Sequence, residues 1–575
     1  MLKLNLNEVP FSCAGSYLVF NLLTDVNQWN MEPGLYLRSV HGTSGSYCPN
    51  ADNIIARLEL LIDGEVTKCE VEADPSVLSM KHADGCISIA FKDDSTVLIQ
   101  GTGPDVGIRI TWMTKDYDFI QPVMSGEETW YLMNHYTSIE RLMLYNVSGK
   151  LEIKQKWDKV SAEYCQLSVT EEQGSFLLVL EEVRETWRNR HMKYDFKKSC
   201  SAQEESFLNF YHSMPKVPEP YEKAREIVSY VNWCSIVRKD GHLKKDAMLM
   251  SKNWMCSIWS WDHCFNALSL SYNNPDEAWD QFMLLFDFQD SEGRLPDCVN
   301  DVAILHNFTK PPIHGWILSK LRKNMSLSER QIAEAYDRLE KWTKWWLNHR
   351  DQDGDGLCEY THGNDSGWDN ATVFGMLPPV TTPDLAAFLI LQMEELQELA
   401  NIIGKTQDAM YWKTLSEDMM EKMLNQLFPN GRPIALQTIS RQEIKNDSLF
   451  SYLPIILAKR LPEAIRNYMI GQLESPRFCT EYGLATESPA SKDYINDGYW
   501  RGPIWAPSTM VIADGLWECG EKEFVRNLTR KFCSMIMKSG SAENFDARTG
   551  EGLRDRAYTW TGSVMLVMAQ EFLMD

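Results

Sequence analysis

The spacing of apolar residues changes once along this 575-residue chain, near Pro218, and that change constrains the fold more than any other feature. Over residues 1 to about 205, short apolar runs alternate with polar turns. YLVFNLL, ARLELLID, CISIAFKDDSTVLIQ, VGIRITWM, YLMNHY, LMLYNVSGKLEI and SFLLVLEEV follow one another at strand length, broken by Asn27, Gly42, Gly64, Gly103 and Gly149. Beyond Pro218 the period becomes helical. A strand shows alternate residues to one face and a helix shows every third or fourth, so one layer type cannot serve both patterns.

The first part therefore reads as a β-sandwich domain, residues 1–205, and the second as a helical domain, residues 206–575. KKSCSAQEESF, near 197–207, reads as the linker between them. Helical segments are expected at 219–236, 262–273, 275–289, 311–323, 327–349, 383–404, 406–427, 447–458, 463–474, 503–519, 521–538 and 557–574. Pro275-Asp276-Glu277 and Ser326-Leu-Ser-Glu329 are initiation and capping-box patterns, and Thr382-Pro383-Asp384 places Pro in a first turn. Twelve helices make six hairpins, which is the number that closes an (α/α)6 barrel. A stack of helical repeats competes, but no fixed period appears. The expected class is mainly α, an (α/α)6 barrel preceded by a β-sandwich.

Composition narrows the partners. The 80 acidic and 57 basic residues give a net charge of −23, a field that repels nucleic acid and anionic membrane and suits a small neutral carbohydrate. No run of 18 apolar residues predicts a membrane span, and the first 23 residues read as a strand and not as a signal. The 14 cysteines form no CxxC pair and no Cys/His cluster with zinc spacing, which suits free thiols in a reducing cytoplasm. The oligomeric state is not legible.

Two segments carry the chemistry. THGNDSGWDNATVF, from Thr361, and ENFDARTGEGLRDRAYTWTG, from Glu543, each set carboxylates among small residues, amides and aromatic rings. Hydrolysis of a glycosidic bond needs such a pair: one acid to protonate the leaving oxygen, and one carboxylate to activate water or attack the sugar. Gly367 and Trp368 would give Asp369 an apolar setting that raises its pKa as a general acid requires, although an Asp there also suits a helix cap. Asp365 is the alternative acid. Glu543 can serve as base from its separate loop, with Glu551 a weaker candidate at a glycine-flanked turn.

Other segments offer binding surfaces. Trp259, Trp261 and Asp262 combine indoles with a carboxylate for sugar hydroxyls; Lys310, His314 and Trp316 surround a Pro-fixed turn; Arg501 and Trp505 open a helix. A lone His such as His314 is more often packed than catalytic. Asp351, Asp353 and Asp355, with Glu359 behind them, match the first half of an EF-hand loop, but His362 stands where the bidentate Glu belongs. A metal-free loop of Asx turns and a structural calcium both fit that pattern; no cofactor is required for the chemistry.

WSWDHCFNALSL, GRLPD with KPPIHGW, NDSGWDNAT, DGYWRGPIW, and ENFDARTGEG ending in YTWTG, taken in order over roughly 259–562, resemble glycoside hydrolase family 63 and more distantly the family 37 trehalases. The resemblance implies an inverting, exo-acting α-glycosidase on an (α/α)6 barrel, often behind a β-sandwich. It assigns Asp369 as general acid and Glu543 as general base, and it maps Trp261, Asp262, Lys310, Trp316, Arg501 and Trp505 onto sugar-binding segments. Members often carry Glu in place of Asp365 and Pro shortly after the Asn, where this chain has Ala371-Thr372, so subsite shape differs. The expected function is an α-glucosidase acting on small α-glucosides or oligosaccharides. The alternative is a mannosylglycerate, glucosylglycerate or trehalase-like hydrolase, whose glycerate carboxylate Arg294, Lys310, Arg501 or Arg548 would receive. A bacterial-type cytoplasmic enzyme fits best. Outside hydrolysis, a phosphorylase of similar architecture and a carbohydrate-binding toroid without catalysis remain as competing readings.

Overall fold

The computed structural model describes residues 2–24, 26, 31–42 and 51–574; Asn27 and Cys48 lie outside them. Two compact units result: Met1–His212 with Ser229–Ser257 and Asn300–Ala303, and Ser213–Val228 with Ile258–Val299 and Ile304–Asp575. The expected boundary at 205/206 falls inside a helix.

Two antiparallel sheets build the first unit. One runs in spatial order Leu18–Leu23, Gly34–Ser39, Ile54–Ile62, Val106–Trp112, Ser161–Thr170 and Lys150–Asp158, with Glu65–Val66 added to the third strand. The other runs Phe119–Ser125, Glu128–His135, Glu140–Ser148, Ser175–Glu182, Thr96–Thr102, Gly85–Phe91, Leu78–His82 and Glu70–Ala73. Period two is visible in Ser161–Thr170, where Cys165, Leu167 and Val169 are buried and the residues between them are not. In this unit His41 is fully buried between two carboxylates, Nδ1 at 2.7 Å from Asp301 and Nε2 at 3.1 Å from Glu182, and stacks on Tyr17 at 3.8 Å. Burial alone would lower its pKa, but the two carboxylates outweigh it and push the imidazolium up to about 9.

The expected linker at 197–207 is instead helix α1, Phe196–Ser213. Its buried stripe is Ser199, Gln203 and Phe207, four residues apart, and two of the three are polar. The helical period exists but hydrophobicity does not reveal it. "Mainly α" accordingly describes the second unit only.

Helix α2 is Glu222–Cys234. The remaining helices are α3 Asp262–Leu270, α4 Pro275–Met283, α5 His314–Asn324, α6 Glu329–His349, α7 Pro383–Ile402, α8 Thr406–Leu427, α9 Glu463–Glu474, α10 Ala506–Cys519, α11 Lys522–Ser539 and α12 Thr559–Phe572. The helix expected at 447–458 is a 3₁₀ segment, Leu449–Arg460, because Pro454 interrupts it and Ala458 sits at φ 49°. Contacts run from α3 to α5, α7, the 449–460 segment, α10 and α12, then back to α3, so six inner segments form a closed ring. α4, α8, α9 and α11 pack against members of that ring.

Candidate active site

The chemistry-bearing loops all lead into the amino-terminal ends of inner segments. Trp261, Trp505 and Tyr558 are the N-cap residues of α3, α10 and α12. The rings gather there: Trp261 lies 5.6 Å from Trp560, and Trp505 lies 5.7 Å from Trp560. Trp500 stacks on Trp505 at 4.0 Å and on Trp368 at 4.6 Å. A continuous aromatic belt therefore joins the loop before α7 to those before α10 and α12. The opposite ends of these helices meet in a different network, where Lys320 bridges Asp514 at 2.7 Å and Glu571 at 3.0 Å.

Asp365 and Asp369 lie one helical turn apart in sequence but in opposite environments. Asp365 is fully buried and accepts four hydrogen bonds: from Thr309 N–H at 3.0 Å, Thr361 N–H at 3.0 Å, Thr361 Oγ1 at 2.7 Å and Arg350 Nη1 at 2.9 Å. Burial would raise its pKa, but Arg350 and these donors hold it below the ordinary carboxylate range. Such a group cannot give up a proton it does not carry. Asp369 is only partly exposed, and its carboxyl accepts no hydrogen bond from another described residue; burial raises its pKa. Gly367, between the two, holds φ 73° with no room for a Cβ, which would sit 2.4 Å from the Trp261 ring. Asn370 locks the next loop in place, accepting from Trp500 N–H at 3.0 Å and donating to Gly498 O at 3.1 Å.

Lys310 is nearly fully buried. It forms an ion pair with Asp297 at 2.8 Å, donates to Asn364 O at 2.9 Å and also meets Asn364 Oδ1. Asp262, in the first turn of α3, has its pKa raised well above the ordinary range by burial, with Lys310 opposing. Trp259, buried in the short strand paired with Cys298, leads into this segment. Asp297 belongs to GRLPD, but its pairing with Lys310 is a three-dimensional fact that spacing does not reveal.

Glu543 is buried, with its N–H donating to Asp555 O at 2.7 Å. The flanking chain is fixed by Thr561 Oγ1 to Ala542 O and by reciprocal bonds between Ile504 and Phe545. Asn544 beside it is fully buried, and neither atom of its carboxamide has a hydrogen-bond partner among the described residues. That makes it a polar group the sequence reading missed. Arg501 and Arg548 have no carboxylate partner among the described residues; Arg548 lies over the Tyr494 ring at 4.7 Å, and Arg501 keeps a buried, unpartnered Nε. Tyr499 holds φ 65°, and its carbonyl accepts from Trp505 Nε1 at 2.8 Å.

Several expected site residues sit elsewhere. His314 is enclosed by Phe286, Phe282, Trp342 and His263, and burial pushes its pKa well below the usual value, so it is a core histidine. Trp316 donates its Nε1 to Asp514 at 2.7 Å, in the network with Lys320. Asp351, Asp353 and Asp355 bring carboxylate oxygens within 4.8 Å of one another, but Glu359 is not in that group and accepts from Gln352 N–H at 2.9 Å. Arg441 spans Asp353 at 3.0 Å and Asp355 at 2.6 Å. The 13 described cysteines are free.

Carboxyl-bearing loops joined by tryptophan rings thus lead into a closed ring of helical segments. The chain belongs to glycoside hydrolase family 63, its residues 255–561 matching the mannosylglycerate hydrolase MGH1-like glycoside hydrolase domain. It is 22% identical over 405 residues to mannosylglycerate hydrolase of Rubrobacter radiotolerans, covering 54% of this chain and 90% of that one. Glucosylglycerate hydrolase of Mycolicibacterium hassiacum is 23% identical over 407 residues, with coverage of 54% and 91%. Among solved structures, a family 63 mannosylglycerate hydrolase from Thermus thermophilus superposes with TM-score 0.52 at 18% identity, over 60% of this chain and 99% of that chain. A bacterial glucoamylase complexed with acarbose superposes with TM-score 0.63 at 10% identity, over 98% of this chain and 95% of that chain. Among the described residues, no helix is long and apolar enough to cross a membrane.

Proposed function

We propose that this chain is an inverting hydrolase of α-linked glycosylglycerates, with Asp369 as general acid and Glu543 as general base, on an (α/α)6 barrel preceded by a β-sandwich. The observation that carries the chemistry is the contrast between Asp365, buried and saturated with donors, and Asp369, half-buried with no donor among the described residues. Two carboxyls with pKa values pushed apart divide into an anchor and a proton donor.

In this mechanism the Asp369 hydroxyl protonates the glycosidic oxygen as its bond to C1 breaks. Glu543 takes a proton from water, whose oxygen attacks C1 from the opposite face. The sugar leaves with inverted anomeric configuration, the glycerate leaves as an alcohol, and both carboxyls reset by exchange with solvent. Asp262 is assigned to the sugar hydroxyls, and the buried belt of Trp261, Trp368 and Trp505 backs the site. No cofactor enters. A calcium at Asp351, Asp353 and Asp355 would have to displace Arg441, so we assign that guanidinium as the loop's own cation.

The glycerate reading rests on the relatives named for that activity and on the cations left over. Lys310 is held by Asp297, whereas Arg501 and Arg548 have no carboxylate partner among the described residues and suit a carboxylate on the leaving group. We prefer it to the simple α-glucosidase expectation because the relatives carry glycosylglycerate hydrolase names. Purified protein should show a higher kcat/KM on glucosyl- or mannosylglycerate than on maltose, trehalose or the glycerate methyl esters. Equal rates on acid and ester would remove the glycerate from the proposal.

A further inference from the structure

We propose that Asp297 is a positioning residue for the acid: by clamping the Lys310 ammonium between itself and Asn364, it keeps the proton on Asp369. This rests on the assignment of Asp369 as acid and extends it.

The geometry is a charge imbalance. The buried Lys310 ammonium interacts electrostatically with three carboxyl groups, Asp297, Asp369 and Asp262, and is in contact with Asp297 at 2.8 Å. Lys310 donates to both Asn364 oxygens and lies against Asp297 as an ion pair. With that pair neutral, ionising Asp262 and Asp369 as well would leave two uncompensated charges in a poorly solvated site. The arrangement therefore favours the protonated form of each.

The groups that face the Asp369 carboxyl come from several segments: Lys310 ahead of α5, Asp297 ahead of the short strand Cys298–Val299, Asp262 on α3 and His362 on its own loop. Lys310 and His362 favour the carboxylate; Asp297 and Asp262 favour the acid. Asp297 acts twice, through its own charge and by pairing with the ammonium. During turnover the order reverses usefully. Once Asp369 has given its proton to the leaving oxygen, the Lys310 charge favours the new carboxylate, so the same pair that favours the resting acid also stabilises its product. Raising the pKa of the acid in this way moves it toward the working pH, where proton transfer is most effective.

The test is the pH dependence of kcat/KM for Asp297→Asn, Asp297→Glu and Lys310→Met, on glucosylglycerate and on an activated aryl α-glucoside. Removing the Asp297 charge should move the alkaline limb for glucosylglycerate down by about one pH unit, the scale of a nearby unpaired charge. Lys310→Met should move it up, and Asp297→Glu should restore it. The aryl glucoside needs little protonation, so its alkaline limb should stay in place in every variant. A uniform loss of rate with an unmoved limb would overturn the proposal and leave Asp297 a merely structural residue. Should Asp297→Asn fail to fold, an unmoved limb in Lys310→Met overturns it equally. If the wild-type alkaline limb is the same for both substrates, the assignment of Asp369 itself fails, which is a separate result.

Discussion

Asp365→Asn and Asp369→Asn make nearly the same chemical change four residues apart and should have opposite consequences. Asp365 is fully buried, pairs with Arg350 at 2.9 Å and accepts three further hydrogen bonds from Thr309 and Thr361. Removing one partner of a buried ion pair costs about 3–5 kcal/mol. Each donor turned against an amide nitrogen costs about 1–3 kcal/mol, but that loss overlaps the first, so about 3–5 kcal/mol is expected in all. Asp369→Asn breaks no hydrogen bond to another described residue and should change stability by less than about 1 kcal/mol. Urea unfolding followed by tryptophan fluorescence reads both. The sign with pH also follows. Asp365 has a folded pKa below its unfolded value of about 3.9, so its contribution is present above that pH and lost as pH falls through the folded value. The gap between wild type and Asp365→Asn should therefore close in acid. An Asp365→Asn protein as stable as wild type at pH 7, or Asp369→Asn as the more damaged of the two, would refute this division of roles.

Gly367→Ala places a Cβ against the Trp261 ring at a left-handed φ, and kcat/KM should fall by about 10–100-fold from the displaced acid; wild-type kinetics would show the loop to be forgiving. His41, raised to about 9 when folded against about 6.5 unfolded, contributes stability that is complete below about 6.5 and disappears as pH rises through about 9. Thermal melts from pH 6 to 10 should fall more steeply for wild type than for His41→Gln. Arg441→Ala should lower the melting temperature, and a chelator should leave wild type unchanged; a wild-type melt lowered by chelator and restored by calcium would place the metal in the acidic loop instead.

Most of the helical unit was legible because its helices carry both a period and a signal at the start. Thr382-Pro383 opens α7 as expected. The capping box of α6 forms two residues later than the pattern suggested, between Ser328 and Gln331. Reading failed where the period was carried by polar residues, as in α1, or where Pro454 and Ala458 forced 3₁₀ geometry on an apolar run. Of the residues proposed for the site, Asp369, Trp368 and Glu543 stand out in the sequence because carboxylates and indoles in a glycine-rich loop are unusual. His314 and Trp316 misled because an aromatic, Pro-fixed turn looks the same whether its rings face a pocket or a core. The pairing of Asp297 with Lys310, thirteen residues apart across a short hairpin, depends on the fold and leaves no trace in spacing.

Proton NMR of the first minutes of hydrolysis tests the central claim most directly. With α-glucosylglycerate as substrate, free glycerate should appear together with β-glucose, the α-anomer growing only later by mutarotation. α-Glucose as the initial product, or no cleavage of either glucosyl- or mannosylglycerate, would contradict the assignment of Asp369 and Glu543 as the acid and base of an inverting glycosylglycerate hydrolase.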